Sequence, residues 1–547
     1  MPVSCTPDIA GATTETTNGV TGSVCNSDNT PAANSIVKLF AIDYDPVAED
    51  TSSVIFTDTT DDDGLFRFEE IAPGRYTVLV RSNDASASCI VNDIDVFEDS
   101  MTALSDEFLN KPGSIIAKFT GNVPFDSGTY IYLPGTDIFS FVAGSGEADL
   151  GSVPAGAFST VILSTADGKK RNILDTAVTL EPEDTVSLIN PLWTYHRKIV
   201  LNTSSTGADI GGDVYNFPVL IRLDSNFDFT HTLPEGEDLL FTDSGNTSLP
   251  FEIEHWDADG QSAAIWVLMN TVFGNNSTQS ITMYWGNSDA ASAANSKAVF
   301  DTAAGFQGVW HLADSEGDSI ADATVNHYNG GSPDIAQPQV ADGIIGNCRI
   351  FDGADDFITM PNTADGKLDF EENGSYTVSA WVLLDTFDNA SHCIVSKGYE
   401  QYYLRSTYVS TDVIPTATPL WEFVEFAENG DKGNWRTSTS PVDGKQWTLL
   451  VGVREGKKQL LYSNGTLVSD SFDIWENSVS RNTDNDLYIG RFSEVVTLPP
   501  LGPIVQGYNH FKGGIDEVRI INKAQNPDWV RLCYMNQRPD DRLVTFE

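Results

Sequence analysis

Two carboxylates, Glu252 and Glu254, flank a single residue in the run Phe251-Glu252-Ile253-Glu254-His255-Trp256. On a β-strand this alternation sends both side chains to one face. A carboxylate pair about 5 Å apart is the arrangement by which a retaining glycosidase divides acid/base and nucleophile roles. Here the run ends in His255-Trp256, so the reading is a solvated strand face and no catalytic residue. The seven histidines fall in no HExxH pattern, and GxSxG, P-loop and dinucleotide fingerprints are missing. His311, inside Trp310-His311-Leu312, reads as a structural histidine. Sugar binding asks for aromatic planes that stack on a ring and for polar groups that meet its hydroxyls. Tyr402, Tyr403, Trp421, Trp435 and Arg405 are the candidates, with core packing as the alternative for each aromatic.

The six cysteines form no CxxC pair, so neither a zinc ribbon nor a thioredoxin-like site is indicated. Cys25 and Cys89 could bridge the ends of the first folded unit, or stand as buried thiols. Cys5, after Val3-Ser4 and before a Thr-rich stretch, resembles the end of a bacterial lipobox. It is expected to carry a lipid anchor, although Pro2 stands where an aliphatic residue is usual. Thirty-one basic residues against 78 acidic ones give a net charge of −47. Such a surface repels nucleic acid and anionic lipid, and it suits an extracellular protein in a salty habitat.

At 547 residues the chain needs several cores. Runs rich in β-branched and aromatic residues, such as 35–42, 76–80, 199–202 and 376–384, alternate with clusters of Gly, Asn, Asp and Pro. The fold class is therefore all-β, as several β-sandwich domains in tandem, with short helical turns near 290–300 and 527–535. A flexible tether over 1–18 is expected, then sandwiches at 19–112 and 113–192, a third β domain at 193–302 and a fourth at 303–547. The run Glu70-Ile71-Ala72-Pro73-Gly74-Arg75-Tyr76 is loosely echoed from Ser152 to Phe158. Asp61-Asp62-Asp63-Gly64 reads as a turn, since Asp favours turns through its own backbone hydrogen bonds.

Several of these segments resemble known families. Gly22-Ser23-Val24, Val37-Lys38-Leu39-Phe40 and the Pro73-Gly74 turn resemble the carboxypeptidase regulatory-like β-sandwich, a stalk module. Trp193-Thr194-Tyr195, Asn216-Phe217-Pro218, Phe251 to Trp256 and Met283-Tyr284-Trp285-Gly286-Asn287 resemble the domain of unknown function DUF2341. Gly308-Val309-Trp310-His311-Leu312, Phe351-Asp352-Gly353, Tyr376 to Val382 and Lys512-Gly513-Gly514-Ile515-Asp516-Glu517-Val518 resemble the LamG-like (Laminin_G_3, concanavalin A-like) jelly roll. As an ensemble the chain resembles bacterial surface lipoproteins.

The LamG resemblance implies a Ca²⁺ ion near the loops, with Asp322, Asp352 and Asp516 as oxygen donors and Asp355 and Asp356 as weaker ones. It also implies a non-catalytic role in adhesion to a polysaccharide or surface glycan. Specificity would reside in the segment 399–405 and in the loop 498–510. The alternatives are a subunit of an extracellular filament or surface layer, whose partners are copies of itself, and a polysaccharide-degrading enzyme or its accessory module.

Overall fold

The structure is a computed structural model. It describes residues 18–47, 55–120, 125–158, 160–165, 171–175, 178–314, 319–363, 365–370, 374–385, 390–397, 401–411, 414–426, 433–438, 442, 444–471, 485–498 and 502–547. The chain is all-β, and its longest described helix, Pro527–Gln537, has 11 residues. It divides into two compact units, 1–194 and 195–547.

The first unit contains two sandwiches. In one, Gly19–Cys25 pairs with Leu65–Glu69 and Met101–Ala103, and faces the sheet Phe56–Thr59, Ile36–Ala41, Gly74–Arg81, Ser88–Val96. Alternation places Val37, Leu39, Val78 and Val80 in its core. Phe40 and Leu79, pointing the other way, join the core of the second sandwich. That second body is built on Gly113–Lys118 and Tyr130–Tyr132 with their neighbours. Asp61 accepts the amides of Asp63 at 3.0 Å and Leu65 at 2.9 Å, as a turn former does. The expected Cys25–Cys89 bridge is not formed. Cys89 is a buried thiol, which burial pushes up to about 12.

The second unit stacks four sheets. One is three-stranded, Val214–Leu223, Ser262–Val272, Phe251–Asp257, and one is four-stranded, Leu240–Asp243, Gln279–Trp285, Tyr195–Leu201, Val544–Phe546; most of their strands come early in the unit. Two eight-stranded sheets follow. One of these has strands Tyr376–Leu384, Thr448–Glu455 and Lys512–Ile521 at its centre, and it is buried on both faces. Val378, Ala380 and Val382 point into the jelly-roll core. Trp381, with Leu449, Val451 and Tyr462, points into the core of the N-terminal sheets. A strand covered on both sides reads as a continuous apolar run, and this one does.

The last residues return to the first sheets. Asn526 caps the helix Pro527–Gln537 by accepting the Trp529 amide at 2.8 Å, and Pro527 occupies the first turn. The helix packs along the strand Val214–Leu223, burying Trp529, Val530 and Leu532 in the shared core. From its end the Asn536 side chain accepts the Leu220 amide at 2.8 Å and donates to the Leu220 carbonyl at 2.9 Å. One side-chain amide thus closes an open strand edge as a neighbouring strand would. Finally Val544–Phe546 pairs antiparallel with Tyr195–Leu201.

Candidate functional site

The hairpin turn Asp342-Gly343-Ile344-Ile345-Gly346-Asn347 wedges between the N-terminal sheets and the jelly roll. Asp516 anchors it from the jelly-roll side, accepting the amides of Ile344 at 2.9 Å and Ile345 at 3.1 Å. Ile345 is buried in the shared core. Gly346 has φ +52°, and a Cβ there would stand 3.2 Å from Glu254 Oε1 and 3.2 Å from the Cβ of His255. A side chain at this position would therefore be both strained and crowded.

Beside the wedge lies a cleft of about 840 Å³. The end of Val214–Leu223, the hairpin 251–272, the wedge and the C-terminal tail all contribute to it. Its polar lining includes Asp224, His255, Asp257, Asn347 and Asp541, with Phe546 as an aromatic wall. His255 Nε2 lies 3.1 Å from Ser262 Oγ. Asp257 accepts the Gly260 amide at 2.7 Å. Burial raises the Asp541 carboxyl to about 6, against hydrogen bonds from Leu543, Val544 and Asn536 that lower it. Arg222 donates to the carbonyls of Gln537 at 2.6 Å, Asn536 at 3.1 Å and Ile344 at 3.3 Å, tying tail and wedge to the strand. The volume suits a small ligand, and several carboxylates and one imidazole face it, groups that hold hydroxyls or a cation.

A cluster of charges is sealed in the same seam. His311 Nδ1 lies 2.5 Å from Glu517 Oε1 and 3.4 Å from Glu254 Oε2, while its Nε2 lies 3.4 Å from Glu252 Oε2. Arg519 donates to Glu517 Oε2 at 2.5 Å and 3.1 Å, with its guanidinium 4.4 Å from the Trp266 ring centroid. Trp266 Nε1 donates to Glu254 Oε2 at 2.6 Å. Burial opposes charge on His311, yet Glu517, Glu254 and Glu252 together hold the imidazole well above its ordinary value. Burial also opposes charge on Glu517, but His311 and Arg519 hold its carboxyl down to about 2. Burial, then the Glu517 charge, pushes Glu254 and Asp516 well above the carboxylate range. The shifts thus run toward balance, His311 toward its charged form and Glu254 and Asp516 toward their neutral ones.

This overturns the expectation for Glu252 and Glu254. They do share a face, but Glu254 is only 1% exposed and both meet His311 in place of solvent. His311 lies within this network, its imidazole held well above its ordinary value by the surrounding carboxylates. The sequence could not place Glu517 and Arg519, more than 200 residues away, against it.

Most of the expected sugar-binding aromatics are core. Tyr402 and Trp421 are buried between the jelly-roll sheets. Tyr403 packs on Cys393, Val424 and Phe492, its ring 4.4 Å from that of Phe492. Arg405 pairs with Glu422 at 2.5 Å and lies 5.1 Å from the Tyr403 ring. Trp435 stands on Gly433–Thr437 opposite Val424, and its side chain lies outside the described residues. The expected loop 498–510 is largely the hairpin Phe492–Leu498/Gly502–Tyr508. These aromatics fill the interior because the jelly roll needs large side chains between two curved sheets.

The aspartates expected to share a Ca²⁺ ion do not meet. Asp322 accepts the amides of Val309 at 3.0 Å, Thr324 at 3.0 Å and Tyr328 at 2.9 Å. Asp516 holds the wedge. Asp352 lies with Asp355 and Asp356, their carboxylate oxygens within 4.8 Å of one another. Cys5 lies outside the described residues.

Two eight-stranded sheets packed on a shared apolar core define a jelly-roll sandwich. Residues 351–531 match the model of the Concanavalin A-like lectin/glucanases superfamily, Laminin_G_3, and residues 235–313 match that of DUF2341, a domain of unknown function. No curated protein matches the sequence. One similar solved structure is domain 4 of AbnA, a GH43 extracellular arabinanase from Geobacillus stearothermophilus, in complex with arabinotriose. It is 17% identical with a TM-score of 0.29, over 42% of this chain and 97% of that one. Another is the binding domain of botulinum neurotoxin serotype G, 10% identical with a TM-score of 0.30, over 42% of this chain and 50% of that one.

Proposed function

We propose that residues 195–547 form a non-catalytic glycan-binding unit, presented at a bacterial cell surface by the preceding sandwiches acting as a stalk. The observation that carries this reading is the cleft of about 840 Å³ in a chain whose C-terminal part matches a concanavalin A-like family. Carboxylates accept paired hydroxyls of a sugar, and Phe546 offers a face for its ring. Stacking and hydrogen bonding of this kind give recognition of a sugar without any covalent step.

The test is a glycan array with the full chain, followed by calorimetry on each hit. Saturable binding that is lost in Asp257→Ala and His255→Ala supports the reading. Absence of any saturable glycan, or binding indifferent to both substitutions, overturns it. Release of shortened sugars during incubation would replace binding with hydrolysis. Self-assembly into a filament has one observation of its own: Phe139 and Phe141 are 40% and 53% exposed on the edge strand Phe139–Phe141. Polymers seen by electron microscopy, and lost in a Phe139→Lys, Phe141→Lys variant, would favour it.

A further inference from the structure

Lys397 ends the strand His392–Lys397, and its side chain is 0% exposed. Its Nζ lies 2.6 Å from Asn362 Oδ1, 2.6 Å from the Asn485 carbonyl and 3.4 Å from Asp369 Oδ1. Asp369 is itself only 9% exposed, and that Oδ1 receives no hydrogen bond. A buried ammonium beside a buried carboxylate with one unsatisfied oxygen is costly to hold as an ion pair. Phe370 stacks on Tyr376 with centroids 4.2 Å apart, and Tyr402 packs against both.

The backbone fixes amine and amide against each other. Ile358–Met360 and His392–Lys397 both pair with Leu487–Ile489, with Met360 and Lys397 opposite Leu487. Asn362 follows two residues beyond Met360, its backbone N–H donating to Asp486 Oδ1 at 2.7 Å. An amine, a carboxamide and a proton carrier are thus gathered in one site, where proximity alone accelerates reaction by large factors.

We propose that Lys397 and Asn362 are joined by a self-catalysed isopeptide bond, with Asp369 as the proton carrier. A proton passes from the Lys397 ammonium to Asp369, so that two ions become two neutral groups. The lone pair of Nζ attacks Asn362 Cγ, and the Asp369 acid donates to the side-chain oxygen as the tetrahedral centre forms. The Cγ–Nδ2 bond then breaks. A proton from Nζ reaches Nδ2 through Asp369, Nδ2 leaves as ammonia, and the proton on the side-chain oxygen returns to Asp369 as the carbonyl re-forms. One amine and one primary amide become one secondary amide and ammonia. Nothing is oxidised or reduced, and Asp369 is regenerated.

The test is the intact mass of the denatured, reduced full chain, with peptide mapping. The expected result is a mass one ammonia below that of the sequence, and a branched peptide joining the segments that hold Asn362 and Lys397. Lys397→Arg and Asp369→Ala should each restore the full mass. A wild-type chain at full mass means a buried ion pair only and overturns the proposal. Loss of ammonia without the branched peptide, as from succinimide formation elsewhere, overturns it as well. The wild-type mass and map decide the matter even if a variant fails to fold. Neither depends on whether the protein binds glycans.

Discussion

Glu517→Gln removes the carboxylate that both buried cations of the seam share. His311 at 2.5 Å and Arg519 at 2.5 Å would keep their charges in a site where His311 is 11% exposed. Breaking a buried pair from one side costs about 3–5 kcal/mol, against a total stability of roughly 5–15 kcal/mol for a domain. Urea unfolding followed by tryptophan fluorescence is the assay, since Trp266 and Trp381 lie in the core beside the cluster. The double variant His311→Gln, Glu517→Gln should recover part of the loss, with a coupling of about 0.5–3 kcal/mol. The pH profile carries a second signature. His311 is raised, so its contribution is complete below 6.5 and is lost as pH climbs through its folded value. Glu517 is lowered to about 2 from 4.5, so its contribution is present above 4.5 and fades as pH falls toward 2. Glu254 and Asp516 are raised, so the folded state keeps protons that the unfolded chain releases above 4.5 and 3.8, and stability falls with rising pH. The wild type should therefore be most stable at about pH 4 to 4.5, and weaken both as pH falls toward 2 and as it rises from there. In Glu517→Gln the acid-side fade should vanish and the alkaline decline should flatten. A loss below about 1 kcal/mol, as for an exposed pair, would refute the reasoning.

Asn536→Ala leaves both backbone groups of Leu220 without their partner, and should cost about 2–3 kcal/mol in denaturant unfolding; a shift within error would mean the strand edge is satisfied otherwise. Calcium can be tested at the rim trio Asp352, Asp355 and Asp356, where added Ca²⁺ should raise the melting temperature as RT ln(1 + [L]/Kd), an effect lost in Asp355→Asn. A melting curve that neither Ca²⁺ nor chelator moves would remove the ion from the protein.

The all-β class was legible because alternation and turn residues are local signals, read within a few residues of one another. The run 376–384 shows where local reading stops. Its continuous apolarity marks a strand buried on both faces, but nothing in it says that Trp381 faces a second set of sheets. The same limit hid the site. Glu252, Glu254 and His311 drew attention as single residues, whereas their meaning depends on Glu517 and Arg519 far along the chain. The aromatics at 402, 403 and 421 misled for the opposite reason, because one residue type serves a sugar face and a core equally well. The helix near 527 had a visible start in Asn526-Pro527, yet its partner strand did not.

The pairing of Val544–Phe546 with Tyr195–Leu201 joins elements about as far apart as the unit allows, with Lys198 and Glu547 separated by 349 positions. At roughly 5–20 residues per second, the ribosome needs about twenty seconds to a minute to travel that distance. Throughout that interval the strand Tyr195–Leu201 has one open edge, and the strand Val214–Leu223 lacks the helix that covers it. The N-terminal sheets are therefore made first and finished last. Whatever shields those edges in the meantime, whether a chaperone or a slow step of export, acts on a half-built sandwich and not on the finished surface.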